Sequence, residues 1–515
     1  MSTSNYSSLQ HLLSGLNVEL GELAGIHVAG LQQDSRKVKQ GDCFIAVTGL
    51  ETDGRRYIAS ALERGASVVL QEADQQQHGD VAFLSSRPII SVSNLLQKMS
   101  RIAANFYSEP STALSLVAFT GTNGKTSCSQ LYAQLQALLG KRAAMLGTMG
   151  YGEVNRSADI KLQDTGMTTP DALRAQSILA DLRETGIQSV AMEVSSHSLV
   201  QGRVAAVDFD IAVFTNISRD HLDYHGNMAA YAKAKAKLFA FKGLSAAVLN
   251  LDDEYGELFA HVLRASGSKV ITYSCKNSLA DLYCAKVDYL PRGMVLTIKS
   301  SWGAIQLKTG LLGSFNVSNL LAVLGAALAE GTSWKELCSA MEMLQPVKGR
   351  LETFESAGLT VIVDYAHTPD ALDKALQGVR QHCSGKLVCV FGCGGDRDRG
   401  KRPEMGAIAA SRADKLLVSS DNPRNENPEQ IIDDILAGID ANQCELLVEV
   451  DRRMAIERAI HEAAAGDCVL IAGKGHEDYQ IIKGEKLWFD DRVIAEKCLQ
   501  EKQLSQNAAA QEGQG

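Results

Sequence analysis

The sequence predicts an α/β protein in three parts, and three observations carry that prediction. A chain of 515 residues is too long for one ordinary core, so two to four domains are expected. From Leu114 onward, short and nearly continuous apolar runs alternate with helical stretches: LSLVAFT (114–120), SVAMEVS (189–195), IAVFTNI (211–217) and AAVLNLD (246–252). Such strands are buried on both faces, which is the mark of a mostly parallel sheet covered by helices. A second series follows: LTVIVDYA (359–366), KLVCVFGCGG (386–395), KLLVSSDN (415–422) and CVLIAGKGHE (468–477). Each of its members runs into Gly, Asp, Asn or His, and ligands of open α/β sheets sit beyond the carboxyl ends of the strands.

Taken in order, residues 1–104 form a small α/β domain with strands such as Cys43–Val47 and Ser67–Leu70. NFYSEPST (105–112), with its proline and polar residues, reads as a linker. The central domain spans 105–345, with a strand-rich insert near Cys284–Lys308 and a long apolar helix entered through LLGSFNVSNLLAV. QPVKG (345–349) opens a C-terminal, Rossmann-like domain over 346–502. Residues 503–515 (QLSQNAAAQEGQG) lack bulky apolar side chains and are expected to be a disordered tail.

Composition narrows the function classes. Hydrophobic residues at 45% and charged residues at 22% suit a soluble globular protein with a large core. A net charge of −9 argues against a general nucleic-acid binder but leaves room for a local basic pocket. The eleven cysteines are scattered, with no zinc or redox spacing, and are expected as reduced thiols in a cytoplasmic protein. Neither a secretory signal nor a membrane span is expected.

The strongest motif is Gly121-Thr122-Asn123-Gly124-Lys125-Thr126, followed by Ser127, between the strand LVAFT and the helix SCSQLYAQLQALLG. Glycines let the backbone wrap a polyphosphate, and the helix N-terminus adds partial positive charge. Lys125 suits the β- and γ-phosphates, and the Thr126 hydroxyl suits Mg²⁺. The usual first glycine of such a loop is replaced by Phe119, so this is a shortened variant. A tight turn without ligand is the bland alternative, and the strand–loop–helix setting disfavours it.

Nucleotide chemistry needs Mg²⁺ and hard oxygen ligands. Glu193 ends one strand and precedes Ser195-Ser196-His197, Gln201 and Arg203, while a second strand runs into SRDHLDYHG (218–226). Either cluster alone could be structural. Two on neighbouring strands beside a phosphate loop indicate a site. On the Ala-rich helix that follows, Lys233 and Lys237 share a face and Lys235 points nearly opposite, so spacing alone does not single out Lys235.

GTNGKT, MEVSSH, NISRDHLDYHG, GSFNVSNLLAV, DYAHTPD and GKGHE together resemble the Mur ligase family, in order and spacing, from about Asp34 to Asp491. The resemblance implies an ATP-dependent amide ligase of peptidoglycan precursor synthesis, active in the cytoplasm as a monomer on small-molecule substrates with Mg²⁺. GGDRDRGKRP and Asp421-Asn422-Pro423-Arg424 are similar to the branch that adds meso-2,6-diaminopimelate to UDP-N-acetylmuramoyl-L-alanyl-D-glutamate. The physics agrees: Arg424 can grip the distal carboxylate that lysine lacks.

The same resemblance distributes roles. Lys125, Glu193, His221, Lys235 and Arg350 fall at catalytic positions, and Thr126, Glu193, His221 and a carbamylated Lys235 at the metal. ATP contacts extend from the loop to Asn316, Arg350 and Asp364. The UDP precursor is assigned Gln33, Ser35, Leu50, Glu51, Thr52, Met167, Thr168, Thr169, Ser195, Gln201 and Arg203. Diaminopimelate is assigned Arg397, Asp421, Asn422, Pro423, Arg424, Gly473 and Glu477, with Lys474 and His476 adjoining. The rival readings are a lysine-adding relative, which Arg424 disfavours, and a folylpolyglutamate synthetase-like ligase, which the N-terminal segment and the SSH motif disfavour. A P-loop regulatory ATPase leaves the Arg397 and Asp421–Arg424 cluster unexplained.

Overall fold

The computed structural model describes residues 6–49, 52–74, 76–156, 160–440 and 442–512. The chain divides into two compact units, Met1–Leu249 with Asp253–Ile271, and Asn250–Asp252 with Thr272–Gly515.

The first unit opens with a five-stranded sheet of β1 (Leu31–Gln32), β2 (Cys43–Ala46), β3 (Val68–Glu72), β4 (Val81–Leu84) and β5 (Arg87–Val92), ordered β1-β2-β3-β5-β4. All neighbours are parallel except the β4–β5 hairpin. Helix α1 (Leu95–Phe106) buries Leu95, Met99, Ile102, Ala103 and Phe106 on this sheet. The segment that reads as a linker is packed. Asn105 donates through Nδ2 to Leu12 O at 3.1 Å and Ser14 O at 3.0 Å, and Pro110 and Ser111 are buried.

The second sheet of this unit contains β6 (Ser115–Thr120), β7 (Ala143–Gly147), β8 (Gly150–Val154), β9 (Ser189–Glu193), β10 (Ile211–Phe214) and β11 (Ala246–Asn250), in the order β8-β7-β9-β6-β10-β11. Except for the β7–β8 hairpin, the neighbours are parallel. β7, β9, β10 and β11 are buried along their whole length, as expected of strands covered on both faces. Two helices cover it, α2 (Lys125–Leu138) and α3 (Ala172–Glu184), the latter capped by the Asp171 carboxylate on Leu173 N and Arg174 N. A further helix, α4 (Met228–Ala236), is capped by Asn227. Because β6 is central, the chain leaving it emerges at the middle of the carboxyl edge, between the ends of β9 and β10.

In the second unit, the antiparallel meander β12 (Leu282–Leu290), β13 (Gly293–Ser300) and β14 (Gly303–Thr309) leads into the buried helix α5 (Ser314–Ala329). A six-stranded sheet follows, of β15 (Glu352–Ser356), β16 (Leu359–Asp364), β17 (Leu387–Phe391), β18 (Lys415–Val418), β19 (Glu445–Val448) and β20 (Cys468–Ala472), ordered β15-β16-β20-β17-β18-β19. Only β15 runs antiparallel. Two apolar clusters cover its faces. One includes α6 (Pro369–Arg380), α7 (Lys401–Arg412) and α8 (Pro428–Leu436). The other includes α9 (Arg452–Glu462) and α10 (Asp491–Glu512).

Helix α10 continues to Glu512, through most of the stretch whose composition suggests a disordered tail. Ala and Gln are good helix formers once a helix is nucleated, and the Gln503 side chain accepts from Ser356 Oγ and Ala357 N. All eleven cysteines are free thiols. Among the described residues no helix is long and apolar enough to cross a membrane.

Candidate functional site

The phosphate-type loop is the turn from β6 into α2. Gly121 has φ +155 and Gly124 φ +86, and a Cβ on Gly121 would lie 1.9 Å from Thr215 Oγ1, so glycine is sterically required there. The loop is held from β10's end: Thr122 N donates to Asn216 O at 2.8 Å, Asn123 N to Asn216 Oδ1 at 3.0 Å, and Thr215 Oγ1 to Asn123 O at 2.6 Å. Lys125 Nζ folds back onto Gly121 O (2.9 Å) and Thr122 O (2.8 Å). Ser127 is buried in the first turn of α2.

At the mouth of the loop lies Glu193, fully buried at the end of β9. Its Oε2 accepts from Thr126 Oγ1 at 3.0 Å and lies 3.1 Å from Thr148 Oγ1, while Oε1 accepts from Thr148 N at 2.9 Å. Thr148 follows β7, the strand beside β9, and its hydroxyl is 3.0 Å from that of Thr168. Thr148 escapes sequence reasoning; its signal is a small-residue pair, Gly147-Thr148, closing an apolar strand.

The donor chemistry fits Mg²⁺. A buried carboxylate and a threonine hydroxyl are hard oxygen donors, and Mg²⁺ commonly takes one or two carboxylates with phosphate oxygens and water. Lys235 reaches the same loop from α4. It is buried, donates from Nζ to Gly121 O at 2.8 Å, and sits 4.4 Å from the centre of the Tyr231 ring. Burial, and then the charge of Lys125, push its ammonium well below the ordinary lysine range. His221 stands in a different group, half-exposed with φ +53, 4.9 Å from the His197 ring and 6.2 Å from that of Tyr231. Thus Thr126 and Glu193 are in direct contact, and Lys235 joins them through the loop backbone.

Beside Glu193 the structure gathers another set. Thr169 Oγ1 donates to Glu193 O at 2.9 Å and accepts from Ser195 N at 3.1 Å. Arg203 binds Thr169 O (2.8 Å), Gln201 Oε1 (2.8 Å) and Met167 Sδ (3.4 Å). Met167, Thr168, Thr169, Ser195, Gln201 and Arg203 therefore form one patch. In the N-terminal sheet, Gln33 and Ser35 follow β1, and Thr52 lies beyond β2, where Gly49 N donates to its carbonyl at 2.9 Å. Both stretches leave the carboxyl ends of adjacent parallel strands. Leu50 and Glu51 fall outside the described residues.

In the second unit, Asp364 ends β16 and accepts from Leu351 N at 2.8 Å, with burial raising its carboxyl above the ordinary range. Arg350 lies 4.6 Å above the Tyr365 ring. Asn316 is buried in the first turn of α5, bound to Leu312 O and Asn319 Nδ2. The loops after β18 and β20 meet. Asn422 Nδ2 donates to Glu477 Oε2 at 2.9 Å, and the buried Lys474 Nζ lies 3.3 Å from Asn422 Oδ1, 3.4 Å from Glu477 Oε2 and 3.7 Å from Asp421 Oδ1. Asp421 Oδ1 is buried without a hydrogen-bond partner among the described residues. Arg424, at φ +52, donates from Nη1 to Gly395 O at 2.7 Å. A Cβ on Gly394 would lie 2.8 Å from that guanidinium and 3.8 Å from Arg397 Cγ, so Gly394 keeps both arginines close. Pro423 O packs directly on Gly395, and Gly473 sits against Asp421.

A separate trio, His461, Cys498 and Glu501, has ligand-type atoms within 4.8 Å of one another on α9 and α10. Lys497 lies 3.6 Å from Glu501 and burial pushes the Cys498 thiol up to about 11, so we assign no ion there.

Family models match the chain over residues 27–107 (Mur ligase family, catalytic domain), 119–327 (Mur ligase middle domain) and 349–475 (Mur ligase, glutamate ligase domain). The chain is 48% identical over 470 residues to the UDP-N-acetylmuramoyl-L-alanyl-D-glutamate–2,6-diaminopimelate ligase of Pseudomonas aeruginosa, covering 91% of this chain and 94% of that one. A solved structure of an enzyme with the same description superposes with a TM-score of 0.72 at 38% identity, covering 96% and 99%. The MurF ligase of Thermotoga maritima in complex with ADP shares the fold, with a TM-score of 0.60 at 18% identity over 92% and 96%. On these matches and the loop, carboxylate and arginine geometry above, the chain belongs to the Mur ligase family.

Proposed function

We propose that this protein is the ATP-dependent ligase that joins meso-2,6-diaminopimelate to the D-glutamyl γ-carboxylate of UDP-N-acetylmuramoyl-L-alanyl-D-glutamate. The observation that carries the reading is the contact of Thr126 with the buried Glu193 at the mouth of a glycine-bounded loop. A hydroxyl and a carboxylate are thereby fixed where a triphosphate's cation would lie.

The γ-carboxylate attacks the γ-phosphorus of ATP, its P–O bond forms as ADP leaves, and an acyl phosphate results. The free amine of diaminopimelate then attacks the acyl carbon; the C–N bond forms as the C–O bond to phosphate breaks, phosphate leaves with that electron pair, and the nitrogen gives up one proton to become the amide. The first step opposes two anions. Lys125 and the loop amides offset that repulsion by charge and by fixed dipoles that need no reorganisation. Mg²⁺, held by Thr126 and Glu193, supplies further charge neutralisation when bound; a carbamate on Lys235 would add oxygen ligands, with His221 the remaining assigned position. Met167, Thr168, Thr169, Ser195, Gln201 and Arg203 orient the muramoyl dipeptide, and Gln33, Ser35 and residues 50–52 the uridine end. Asn316, Arg350 and Asp364 are assigned to the nucleotide. Arg397, Asp421, Asn422, Arg424, Gly473 and Glu477 bind the acceptor. Arg424 matches its distal carboxylate, and the acidic side chains match its ammonium groups.

The test is ADP and phosphate release with the UDP precursor and either diaminopimelate or lysine. Turnover should require the precursor and Mg²⁺, and should favour diaminopimelate. ATP hydrolysis that ignores both precursor and acceptor overturns the reading.

A further inference from the structure

We propose that the buried Arg452–Asp491 pair is a positioning device for the acceptor site, setting the spacing of the two loops that carry it. Arg452 opens α9 and is 1% exposed, although a cation at a helix N-terminus opposes the helix dipole. Its place therefore has a cause outside its own helix. The guanidinium meets the Asp491 carboxylate in a two-pronged contact, Nε to Oδ1 at 2.9 Å and Nη2 to Oδ2 at 2.7 Å, with both side chains fully buried. The remaining donors go to main chain. Nη2 binds Ala472 O at 3.0 Å, and Nη1 lies 3.4 Å from Ser420 O.

Those two carbonyls belong to the last residue of β20 and to the residue just before Asp421. The first is followed by Gly473, Lys474 and Glu477, the second by Asp421, Asn422 and Arg424. One planar guanidinium thus fastens the roots of both loops, and Asp491 fixes its plane. The opposite side of the Asp421 loop is held by Gln480, whose Nε2 donates to Asp421 O at 2.6 Å. The fit is close, since a Cβ on Gly473 would lie 2.7 Å from Asp421 Oδ2 and 3.9 Å from Arg452 Nη2. A change in loop spacing would alter the distances among Lys474, Asn422, Asp421 and Glu477, none of which belongs to the phosphate loop. Stability alone does not require such a pair, because buried ion pairs can often be replaced by apolar residues at little loss.

The inference rests on the acceptor-site assignment, and the experiment separates the two. The double variant Arg452→Met/Asp491→Leu removes both charges without orphaning either, and Arg452→Lys keeps a charge but loses the planar fork. Both are expected to fold. In the double variant KM for diaminopimelate should rise roughly 10- to 100-fold, as for an ångström-scale misplacement, while KM for ATP and for the UDP precursor stay at wild-type values. Arg452→Lys should fall between. A purely structural role would lower the melting temperature and the active fraction and leave KM for diaminopimelate unchanged, which would overturn the proposal. Arg424→Ala is run beside them. If it raises that KM and a folded double variant does not, positioning by Arg452 is refuted and the site stands. If neither does, the site assignment falls and the positioning role with it.

Discussion

A single methyl group placed at Gly147 tests the geometry of the metal-side carboxylate without substituting any assigned ligand. A Cβ there would lie 2.1 Å from Glu193 Oε1, 2.5 Å from Cδ and 2.6 Å from Cγ. Ordinary carbon–oxygen contacts are about 3.3–3.6 Å, so more than about 1 Å must be found. Glu193 is fully buried and cannot swing to solvent. If the carboxylate moves, it stretches its contacts with Thr148 N, Thr148 Oγ1 and Thr126 Oγ1, each about 1.5–3 kcal/mol for a charged acceptor. If the strand moves instead, overpacking costs about 1–3 kcal/mol. The cheaper route governs, so Gly147→Ala should lose about 2 kcal/mol in urea unfolding. Either movement shifts the carboxylate relative to Thr126. Turnover should therefore fall about 100-fold, with a higher Mg²⁺ midpoint. Shortening the acid by one methylene, about 1.5 Å, relieves the clash, so Gly147→Ala/Glu193→Asp should regain most of the lost stability. A Gly147→Ala protein with wild-type stability and a wild-type Mg²⁺ midpoint would refute the reasoning.

Other outcomes follow from the same geometry. Arg424→Ala should reduce the preference for diaminopimelate over lysine roughly 10- to 100-fold, the loss of one charge-assisted contact; competition between the two acceptors measures it, and an unchanged ratio rejects the grip. Saturating ATP with Mg²⁺ at about 100 times Kd should stabilise the protein by about 2.7 kcal/mol, and Lys125→Met or chelation of the metal should remove most of that gain in a thermal-shift assay. His476 is held near pKa 4, below its ordinary 6.5, by burial first and then by Arg350 and Arg492. Above pH 6.5 it is neutral folded or unfolded; between 6.5 and 4 only the unfolded chain takes the proton, so stability is lost as pH falls. The loss from this residue approaches about 3 kcal/mol at pH 4, and His476→Gln should flatten the acid limb of the unfolding midpoint by a comparable amount.

The parts of the molecule legible in sequence are those written in local pattern. β6, β9, β10, β16, β17, β18 and β20 are apolar runs, and each ends where a polar cluster begins, because a parallel strand buried on both faces leaves only its carboxyl end for chemistry. The loop 121–126 is legible for the same reason, since its glycines and lysine are contiguous. Local composition misleads where a residue's partner is distant. NFYSEPST looks like a linker, yet Asn105 satisfies two carbonyls near the N-terminus. The alanine- and glutamine-rich tail looks disordered, yet Gln503 is held by Ser356 and Ala357 of β15 and the turn after it. Thr148 and Arg452 are hidden for a further reason, because neither a threonine after a strand nor an arginine opening a helix names its distant partner in the sequence. Only the folded chain puts Thr148 on the Glu193 carboxylate and Arg452 beneath two loop roots separated by more than fifty residues. Motifs mark groups that contact substrate, whereas the residues that set distances among them are chosen by volume and hydrogen-bond reach. It follows that substitutions at Gly147 and Arg452 should change metal response and acceptor KM while every motif remains intact.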